Sequence, residues 1–283
     1  MEVSDFNITI VGFGLIGGSY GMALKKLKPK NLWAVDIDKK ILDKGENLKI
    51  IDKGYLNPEK PLKNSDLVII CLYPKDTLNF IKSNIKNFKN KAIITDVSGI
   101  KANLVKEINL ILRDDLDFIG GHPMAGREFK GFDYASKDLF NGANYIMTPS
   151  NKNKSKNIKI IEDIIKAMGF KNIVKITPER HDEIIALTSQ LPHILSVAMV
   201  NGCKVKNIDS FIGGSFKDII RVANINSKLW TELLINNNEN IIEKLNIFKE
   251  NILKIENIIK NNNEKALNKL FENTRKKMEE NIK

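Results

Sequence analysis

The stretch ITIVGFGLIGG, residues 8–18, decides the fold of this chain. A strand-like run of β-branched residues leads directly into Gly12, Gly14 and Gly17, which have the spacing G-x-G-x-x-G. A helical pattern follows over residues 19–27. The first glycine permits a tight turn, the second lets a pyrophosphate approach the backbone, and the third lets the helix pack close to the strand. The stretch therefore predicts the strand, turn and helix of a dinucleotide-binding site.

An acidic residue at the end of the second predicted strand indicates which dinucleotide binds. Asp36 stands roughly 20 residues beyond the glycine turn, the separation at which a carboxylate meets the adenosine ribose. A carboxylate there accepts hydrogen bonds from the ribose hydroxyls and repels a 2′-phosphate, so NAD is predicted in preference to NADP. Lys39 and Lys40 weaken that preference, because a lysine after the acid can accommodate the phosphate. The residues expected to bind NAD are Gly12, Gly14, Leu15, Ile16, Gly17 and Asp36.

The first part of the chain alternates short β-branched runs with amphipathic stretches, a pattern typical of βαβ units. The predicted strands cover residues 7–12, 31–36, 67–72, 92–96, 117–121, 144–148 and 172–176. A helical pattern over residues 158–168 precedes the last strand, so we place the domain boundary near Thr177. The expected fold is α/β: a Rossmann-type, doubly wound, mostly parallel sheet over residues 1–177, followed by an all-α C-terminal domain over residues 178–283.

Long helical periodicity replaces the strand patterns in the C-terminal part. It runs through residues 183–200 and again from residue 238 onward, where apolar positions are sparse and the rest is highly charged. Such helices can cover their apolar stripes by packing on one another or on a second copy of the chain. Because long helices with few hydrophobic residues make a thin core alone, we predict a homodimer through this part.

The composition indicates an ordinary globular protein, since 42% of its 283 residues are hydrophobic. The apolar runs fall short of the roughly 20 residues that a membrane-spanning helix needs, and no signal-peptide pattern precedes the first strand. We therefore expect a cytoplasmic protein with no membrane partner. Cys71 and Cys203 lie in apolar surroundings without ligand spacing, so neither a disulfide nor a metal site is predicted.

The formal charge of +11 raises the question of a nucleic-acid partner, because clustered basic residues neutralise phosphates. The lysines are instead dispersed among Asn and Ile, and no basic stretch is interleaved with aromatic residues, so we predict no nucleic-acid binding. Arginine is scarce by contrast. Arg221, in the apolar run IIRVA, is therefore a candidate for bidentate carboxylate binding, which lysine performs poorly, although a structural ion pair would also explain it.

Three histidines occur, at positions 122, 181 and 193. His122 follows a predicted strand in GGHPMAG, where ligands of an open parallel sheet bind. An imidazole with an ordinary pKa of about 6.5 suits the removal of a hydroxyl proton, so His122 is the candidate general base for alcohol oxidation. His193 lies in SQLPH and His181 in TPERHDEI, each near the start of a predicted helix. Taken alone, either of these two is more often structural.

Six motifs together resemble the prephenate and arogenate dehydrogenase family over nearly the whole chain. They are GFGLIGGS (residues 12–19), TDVSGIK (95–101), GGHPMAGRE (120–128), SQLPH (189–193), GGSFKDIIRVA (213–223) and LW (229–230). HPMAG-x-E followed by a distant LPH and by an arginine shortly before a tryptophan is peculiar to this family. No fused chorismate mutase or regulatory segment is recognised, so we expect none.

The resemblance implies the oxidative decarboxylation of prephenate to 4-hydroxyphenylpyruvate with reduction of NAD, a step of tyrosine biosynthesis. It also implies roles for the residues at matching positions. His122 would be the base for the ring hydroxyl, Ser98 would share that contact, and His193 would bind substrate or position the nicotinamide. Arg221 would pair with a substrate carboxylate, and Trp230 and Gly214 would line the pocket.

Two positions depart from the family pattern. Gly99 stands where the family commonly has its serine, which puts the role of the preceding Ser98 in question. Arg127 stands where a small polar residue is usual, and we expect an additional carboxylate contact there. Arogenate dehydrogenase and a different hydroxyacid or imine-reducing enzyme on a similar scaffold remain alternatives. From another class, a nucleotide-sensing regulator without catalysis is a further alternative, against which the intact His122 and Arg221 argue.

Overall fold

The computed structural model describes residues 3–126, 129–205 and 207–281. The chain forms two compact units, Met1–Asn237 and Asn238–Lys283. The boundary predicted near Thr177 falls inside the first unit, and it stays a prediction about domain organisation.

An eight-stranded sheet forms the centre of the first unit. Its strands are β1 (Asn7–Val11), β2 (Asn31–Val35), β3 (Lys53–Tyr55), β4 (Leu67–Ile70), β5 (Ile93–Asp96), β6 (Asp117–Pro123), β7 (Asn144–Thr148) and β8 (Asn172–Lys175). They lie in the order β3-β2-β1-β4-β5-β6-β7-β8, and every neighbouring pair is parallel except β6 with β7. The predicted Rossmann-type, doubly wound, mostly parallel sheet is therefore confirmed.

Among the described residues of the first unit, ten α-helices connect and follow these strands. They are α1 (Leu15–Lys25), α2 (Lys39–Asn47), α3 (Glu59–Asn64), α4 (Pro74–Asn84), α5 (Ala102–Ile111), α6 (Ser155–Ala167), α7 (Pro178–Ile185), α8 (Leu191–Gly202), α9 (Gly214–Arg221) and α10 (Ser227–Ile235). The second unit consists of α11 (Asn238–Lys260) and α12 (Glu264–Asn281), which pack on each other. The described residues beyond β8 contain no strand, which confirms the helical C-terminal part.

Both faces of the central strands are buried. In β4, Leu67 and Ile69 join the core on one face of the sheet, while Val68 and Ile70 join the core on the other. A strand covered by helices on both faces reads as a continuous apolar run rather than an alternating one. This double burial explains why LVII carries no polar residue.

One strand has no signal in the sequence, and another extends further than its sequence pattern predicts. Strand β3 is a three-residue edge strand, Lys-Gly-Tyr, which carries no apolar run to reveal it. Strand β6 extends to Pro123, so His122 lies within it, paired with Ile146 of the antiparallel β7, rather than after it. The pairing with β7 holds the backbone of His122 and of both its sequence neighbours in the sheet.

The strand order reverses direction between β1 and β4, which are neighbours although two other strands separate them in sequence. Such a switch point opens a crevice beyond the carboxyl ends of the strands, where α/β proteins bind ligands. Gly12 follows β1 at this edge and Cys71 follows β4. The crevice is thus where the site residues should gather.

Helices α7 and α8 are joined without a break by a π-helical turn, Ala186–Gln190. The continuous helix Pro178–Gly202 is long and apolar enough to span a membrane by length and composition. It nevertheless buries the polar side chains of His181, Asp182 and Gln190 among neighbouring elements of the first unit. In the single chain 28% of its most apolar window is buried, so only part of this helix lies in the core of the first unit.

Candidate active site

A cavity of about 1080 Å³ lies at the switch point of the sheet. One side is lined by the glycine turn, the other by α8, α10 and the segment between α9 and α10. Of the predicted site residues, the cavity lining includes Gly14, Leu15, Ile16, Gly17, Ser98, His122, His193, Arg221 and Trp230. The structure thus brings nine of the predicted residues to one cavity.

The glycine turn has the shape that its spacing predicts. Gly12 adopts a φ of +84°, which is strained for other residues, and a Cβ at Gly17 would lie 1.9 Å from the carbonyl oxygen of Gly12. Gly14 precedes the first residue of α1, and a Cβ there would meet no atom within 4 Å. The first N–H groups of a helix have no partner within it and favour anions. The turn therefore leaves open space at Gly14, beside the N-terminus of α1.

Asp36 is bound to the glycine turn itself. One carboxylate oxygen accepts a hydrogen bond from the backbone N–H of Phe13 at 2.6 Å, and the other accepts one from Asp38 at 2.9 Å. The residue is partly exposed and lies outside the cavity lining. Its position beside the turn is compatible with the predicted contact to the adenosine ribose, which stays a prediction.

His122 reaches the cavity from β6 with its two ring nitrogens in different surroundings. Its Nδ1 lies 2.8 Å from Nε2 of His181. Its Nε2 lies beside Gly99 of the cavity lining, 3.7 Å from where a Cβ would stand. Burial, then the neighbouring His181 and Lys101, lower the pKa of His122 well below its ordinary value near 6.5. The imidazole is therefore neutral at physiological pH, as a general base must be.

His181 was not predicted as a site residue, although it contacts His122 directly. Its side chain is fully buried, and its Nδ1 lies 2.6 Å from Oδ1 of the adjacent Asp182. The sequence offered one signal that could have found it, a His-Asp pair at the start of a helix in a chain with few histidines. The contact itself joins residues far apart in sequence and depends on the packing of α7 near β6.

His193 and Trp230 form a stacked pair on the helical side of the cavity. Their ring centroids lie 3.9 Å apart with the planes tilted by 31°. Nδ1 of His193 is 2.8 Å from the carbonyl oxygen of Ser189, so that nitrogen carries the donated hydrogen. In the neutral ring, the other nitrogen, Nε2, is the acceptor. Arg221, the last residue of α9, lines the same cavity.

Ser98 and Gly99 lie between the glycine turn and His122. Both line the cavity, but the buried Oγ of Ser98 has no hydrogen-bond partner among the described residues. The predicted role of Ser98, a shared contact with the substrate hydroxyl, stays a prediction. A Cβ at Gly99 would lie 3.4 Å from Cδ2 of Leu233 and 3.7 Å from Nε2 of His122, so this position is beside the candidate base.

Besides Gly12 and Asp36, two further predicted residues are not among those that the described structure places in the cavity lining. Gly214 begins α9, and a Cβ there would meet no atom within 4 Å, but it is outside the cavity lining. Arg127 lies outside the described residues. Tyr73, which also lines the cavity, was missed; its hydroxyl lies 2.7 Å from Nδ2 of Asn226 and so links the sheet side of the cavity to α10. No group of side chains suited to a metal ion occurs among the described residues.

Comparison with known proteins identifies related sequences and folds. The family described as "Prephenate dehydrogenase, nucleotide-binding domain" matches residues 20–174, and "Prephenate dehydrogenase, dimerization domain" matches residues 177–273. Prephenate dehydrogenase of Bacillus subtilis is 29% identical over 84% of this chain and 66% of its own length. Cyclohexadienyl dehydrogenase of Zymomonas mobilis is 28% identical over 86% of this chain and 84% of its own length.

Solved structures agree with this relationship. Prephenate dehydrogenase of Aquifex aeolicus, in complex with hydroxyphenyl propionate and NAD+, superimposes with a TM-score of 0.86 at 28% identity, covering 96% of this chain and 97% of that one. Arogenate dehydrogenase of Synechocystis shares the fold with a TM-score of 0.84 at 24% identity, covering 97% of this chain and 99% of that one. Since one family description alone matches more than half of the residues, the chain belongs to the prephenate dehydrogenase family.

Proposed function

We propose that the chain is an NAD-dependent prephenate dehydrogenase, which converts prephenate to 4-hydroxyphenylpyruvate in tyrosine biosynthesis. One observation carries the proposal: a neutral histidine, His122, and an arginine, Arg221, line the same cavity as a dinucleotide-binding glycine turn. An alcohol oxidation needs a base for the hydroxyl proton, and a dicarboxylate substrate needs a cation. The related Bacillus subtilis and Aquifex aeolicus proteins support the same activity.

The cofactor is NAD, and the residues of the glycine turn fit it. The open space at Gly14 and the N-terminus of α1 would hold the pyrophosphate, and Asp36 would accept hydrogen bonds from the adenosine ribose. Leu15, Ile16 and Gly17 line the cavity beside that space. When bound, NAD supplies the acceptor for the hydride. The Aquifex aeolicus protein was solved with NAD+, which supports this assignment.

The chain's own residues bind the substrate and move one proton. Arg221 pairs with a carboxylate of prephenate through its planar fork. The stacked His193 and Trp230 confine the ring, and Nε2 of His193 accepts a hydrogen bond from substrate or nicotinamide amide. Nε2 of His122 takes the proton of the ring hydroxyl as the carbon–hydrogen bond breaks and the oxygen forms a double bond. Loss of the ring carboxylate as CO2 then leaves its electron pair in the ring, which becomes an aromatic phenolate, and uptake of one proton by the phenolate oxygen gives the product.

The substrate is prephenate rather than arogenate in this proposal. Arogenate differs by an amino group in place of the side-chain keto group, and relatives named for prephenate, for cyclohexadienyl substrates and for arogenate all share the family. The predicted carboxylate contact of Arg127 and the pocket role of Gly214 belong to the same proposal, in which Gly214 would need a rearrangement or a partner chain. The protein acts in the cytoplasm as a homodimer.

The deciding experiment measures NADH formation by the purified chain with prephenate and with arogenate, each with NAD and with NADP. We expect prephenate with NAD to give the highest kcat/KM, and His122→Asn to abolish most of that rate. A higher kcat/KM with arogenate would identify an arogenate dehydrogenase. Tight NAD binding without turnover of either substrate would indicate a nucleotide-sensing regulator and contradict the proposal.

A further inference from the structure

Three side chains form a continuous hydrogen-bonded chain that leads away from the cavity. Nδ1 of His122 lies 2.8 Å from Nε2 of His181, and Nδ1 of His181 lies 2.6 Å from Oδ1 of Asp182. His181 is fully buried and the side chain of Asp182 is 3% exposed, so bulk water does not compete for these contacts. The arrangement links the candidate base to a carboxylate through a second imidazole.

Asp182 is held by backbone groups at the start of α5. Its Oδ1 accepts a hydrogen bond from the N–H of Lys101 and its Oδ2 accepts one from Ala102, each at 2.8 Å. These donors and the positive end of the helix dipole favour an ionised, acceptor-only carboxylate. The hydrogen between Asp182 and His181 must therefore reside on Nδ1 of His181.

This assignment determines the tautomer of both rings. A neutral His181 with a hydrogen on Nδ1 has a lone pair on Nε2, so His122 must donate from its own Nδ1. The lone pair of His122 then resides on Nε2, the nitrogen beside Gly99 at the cavity. A general base needs its lone pair on the side of the substrate. The chain of hydrogen bonds supplies that orientation before substrate arrives.

The surroundings of the two rings disfavour a positive charge on His122. Burial is the main cause that lowers the pKa of His122 and of His181, and Lys101 lowers both further. Nζ of Lys101 is paired with Asp96 at 2.6 Å, in a pair whose side chains are both fully buried. Among the described groups around the rings, Asp182 is the carboxylate bonded to one of them. Of the two rings, His181 is therefore better placed to carry a positive charge, because it is hydrogen-bonded to Asp182.

We propose that His181 and Asp182 are positioning residues for His122, which fix its tautomer and carry the acquired charge away from the cavity. The proposal rests on the proposed oxidation of a hydroxyl by NAD. As Nε2 of His122 gains the hydroxyl proton, its Nδ1 proton passes to Nε2 of His181. His122 is again neutral, and His181 becomes an imidazolium ion that holds both ring hydrogens and is hydrogen-bonded to Asp182.

The tautomer can be tested without any turnover. With only three histidines in the chain, a ¹⁵N-histidine NMR spectrum of the purified protein contains six ring nitrogens, assignable by substitution of each histidine in turn. We expect His122 and His181 both to carry hydrogen on Nδ1 and a lone pair on Nε2 near pH 8. His181→Leu should remove that fixed tautomer of His122, and His181→Gln, whose amide oxygen can accept from Nδ1, should retain it. A hydrogen on Nε2 of His122 in the unsubstituted protein would overturn the proposal.

Kinetics separate the two roles. His181→Gln can fix the tautomer but cannot accept a proton, and Asp182→Asn removes the carboxylate charge. Each should lower kcat about ten- to a hundredfold with little change in KM. Asp182→Asn should also move the acidic limb of the pH profile down by about one unit or more, because a charge on the imidazole pair loses its opposite partner.

Thr177→Ala is the matched control, because the Thr177 hydroxyl caps the same helix α7 without touching the three-residue chain. It should lower thermal stability and leave the pH profile of kcat unchanged. Unchanged kcat and an unchanged acidic limb in both His181→Gln and Asp182→Asn would overturn the charge-transfer role. If the unsubstituted protein oxidised neither prephenate nor arogenate, the proposed function would fail, and the NMR test of the tautomer would still decide the positioning role.

Discussion

Lys101 and Asp96 form an ion pair beneath the candidate site, with Nζ 2.6 Å from Oδ2 and both side chains fully buried. Asp96 also accepts hydrogen bonds from the backbone N–H groups of Ser98 and Gly121, the residue before His122. The pair therefore ties the end of β5 to β6 at the point where the candidate base leaves the sheet.

Removal of the lysine charge should destabilise the whole first unit. Lys101→Met leaves the charge of Asp96 buried and without its ion-pair partner, a situation that typically costs about 3–5 kcal/mol. We expect a loss of that size in the free energy of unfolding, measured by urea titration of both proteins. The double variant Lys101→Met with Asp96→Asn should recover part of it, and a single variant as stable as the parent would show that the pair is dispensable.

His122 should act on catalysis rather than on binding. His122→Asn should lower kcat about a hundredfold or more with little change in KM, because general-base catalysis contributes about 10²–10⁴. The pKa of His122 is lowered by burial, so the neutral, active form persists below pH 6.5 and kcat should fall only at more acidic pH. The acidic limb of the kcat profile is therefore expected at a lower pH than an imidazole with its ordinary pKa of about 6.5 would give. Near-normal turnover of the variant with the same acidic limb would contradict the role of base.

Arg221 should act mainly on substrate binding. Loss of a charge-assisted pair worth about 1.5–3 kcal/mol or more predicts that Arg221→Ala raises KM by a factor of about ten to a thousand. Arg221→Lys should restore binding only in part, because an ammonium group cannot reproduce the planar fork. Steady-state kinetics with prephenate measure the KM of both variants. Full rescue by lysine would show that a point charge is sufficient.

Asp36 should determine the choice of cofactor. We expect the parent chain to prefer NAD over NADP by at least about tenfold in kcat/KM, because the carboxylate repels a 2′-phosphate. Asp36→Ser should narrow this preference, although it also removes the hydrogen bond to Phe13 and can loosen the glycine turn. Thermal denaturation of the variant controls for that loosening. Equal use of both cofactors by the parent would contradict the assignment.

The homodimer should be visible by sedimentation. Apolar side chains of α11 and α12, such as Leu253, Ile259 and Phe271, are more than half exposed in the single chain. A second copy that covers them would remove apolar surface from water, and residues 177–273 match a description that names dimerization. At micromolar concentration we expect a mass about twice the chain mass of 32.0 kDa. A monomer over that range would refute the prediction.

The sequence was most informative where a residue pattern is local. The glycine turn and seven strands are where their spacing and apolar runs predict them, because those signals depend on neighbours in sequence. Strand β3 lacks such a run. The role of His181 was also hidden, since its contact with His122 depends on how α7 packs near β6. Gly214 was assigned to the pocket by resemblance, and the single chain does not place it there.

The π-helical turn at Ala186–Gln190 sets the angular phase of the two histidines that flank it. An uninterrupted α-helix advances about 100° per residue, so side chains twelve positions apart, such as those of His181 and His193, would point about 120° apart. One extra residue taken up by the wider turn reduces that angle to about 20°. A single helix can thus aim one imidazole at His122 and another at the stacked Trp230. Conversion of the π-helical turn to ordinary α-helix without loss of a residue would rotate these two functions apart while the helix itself persisted.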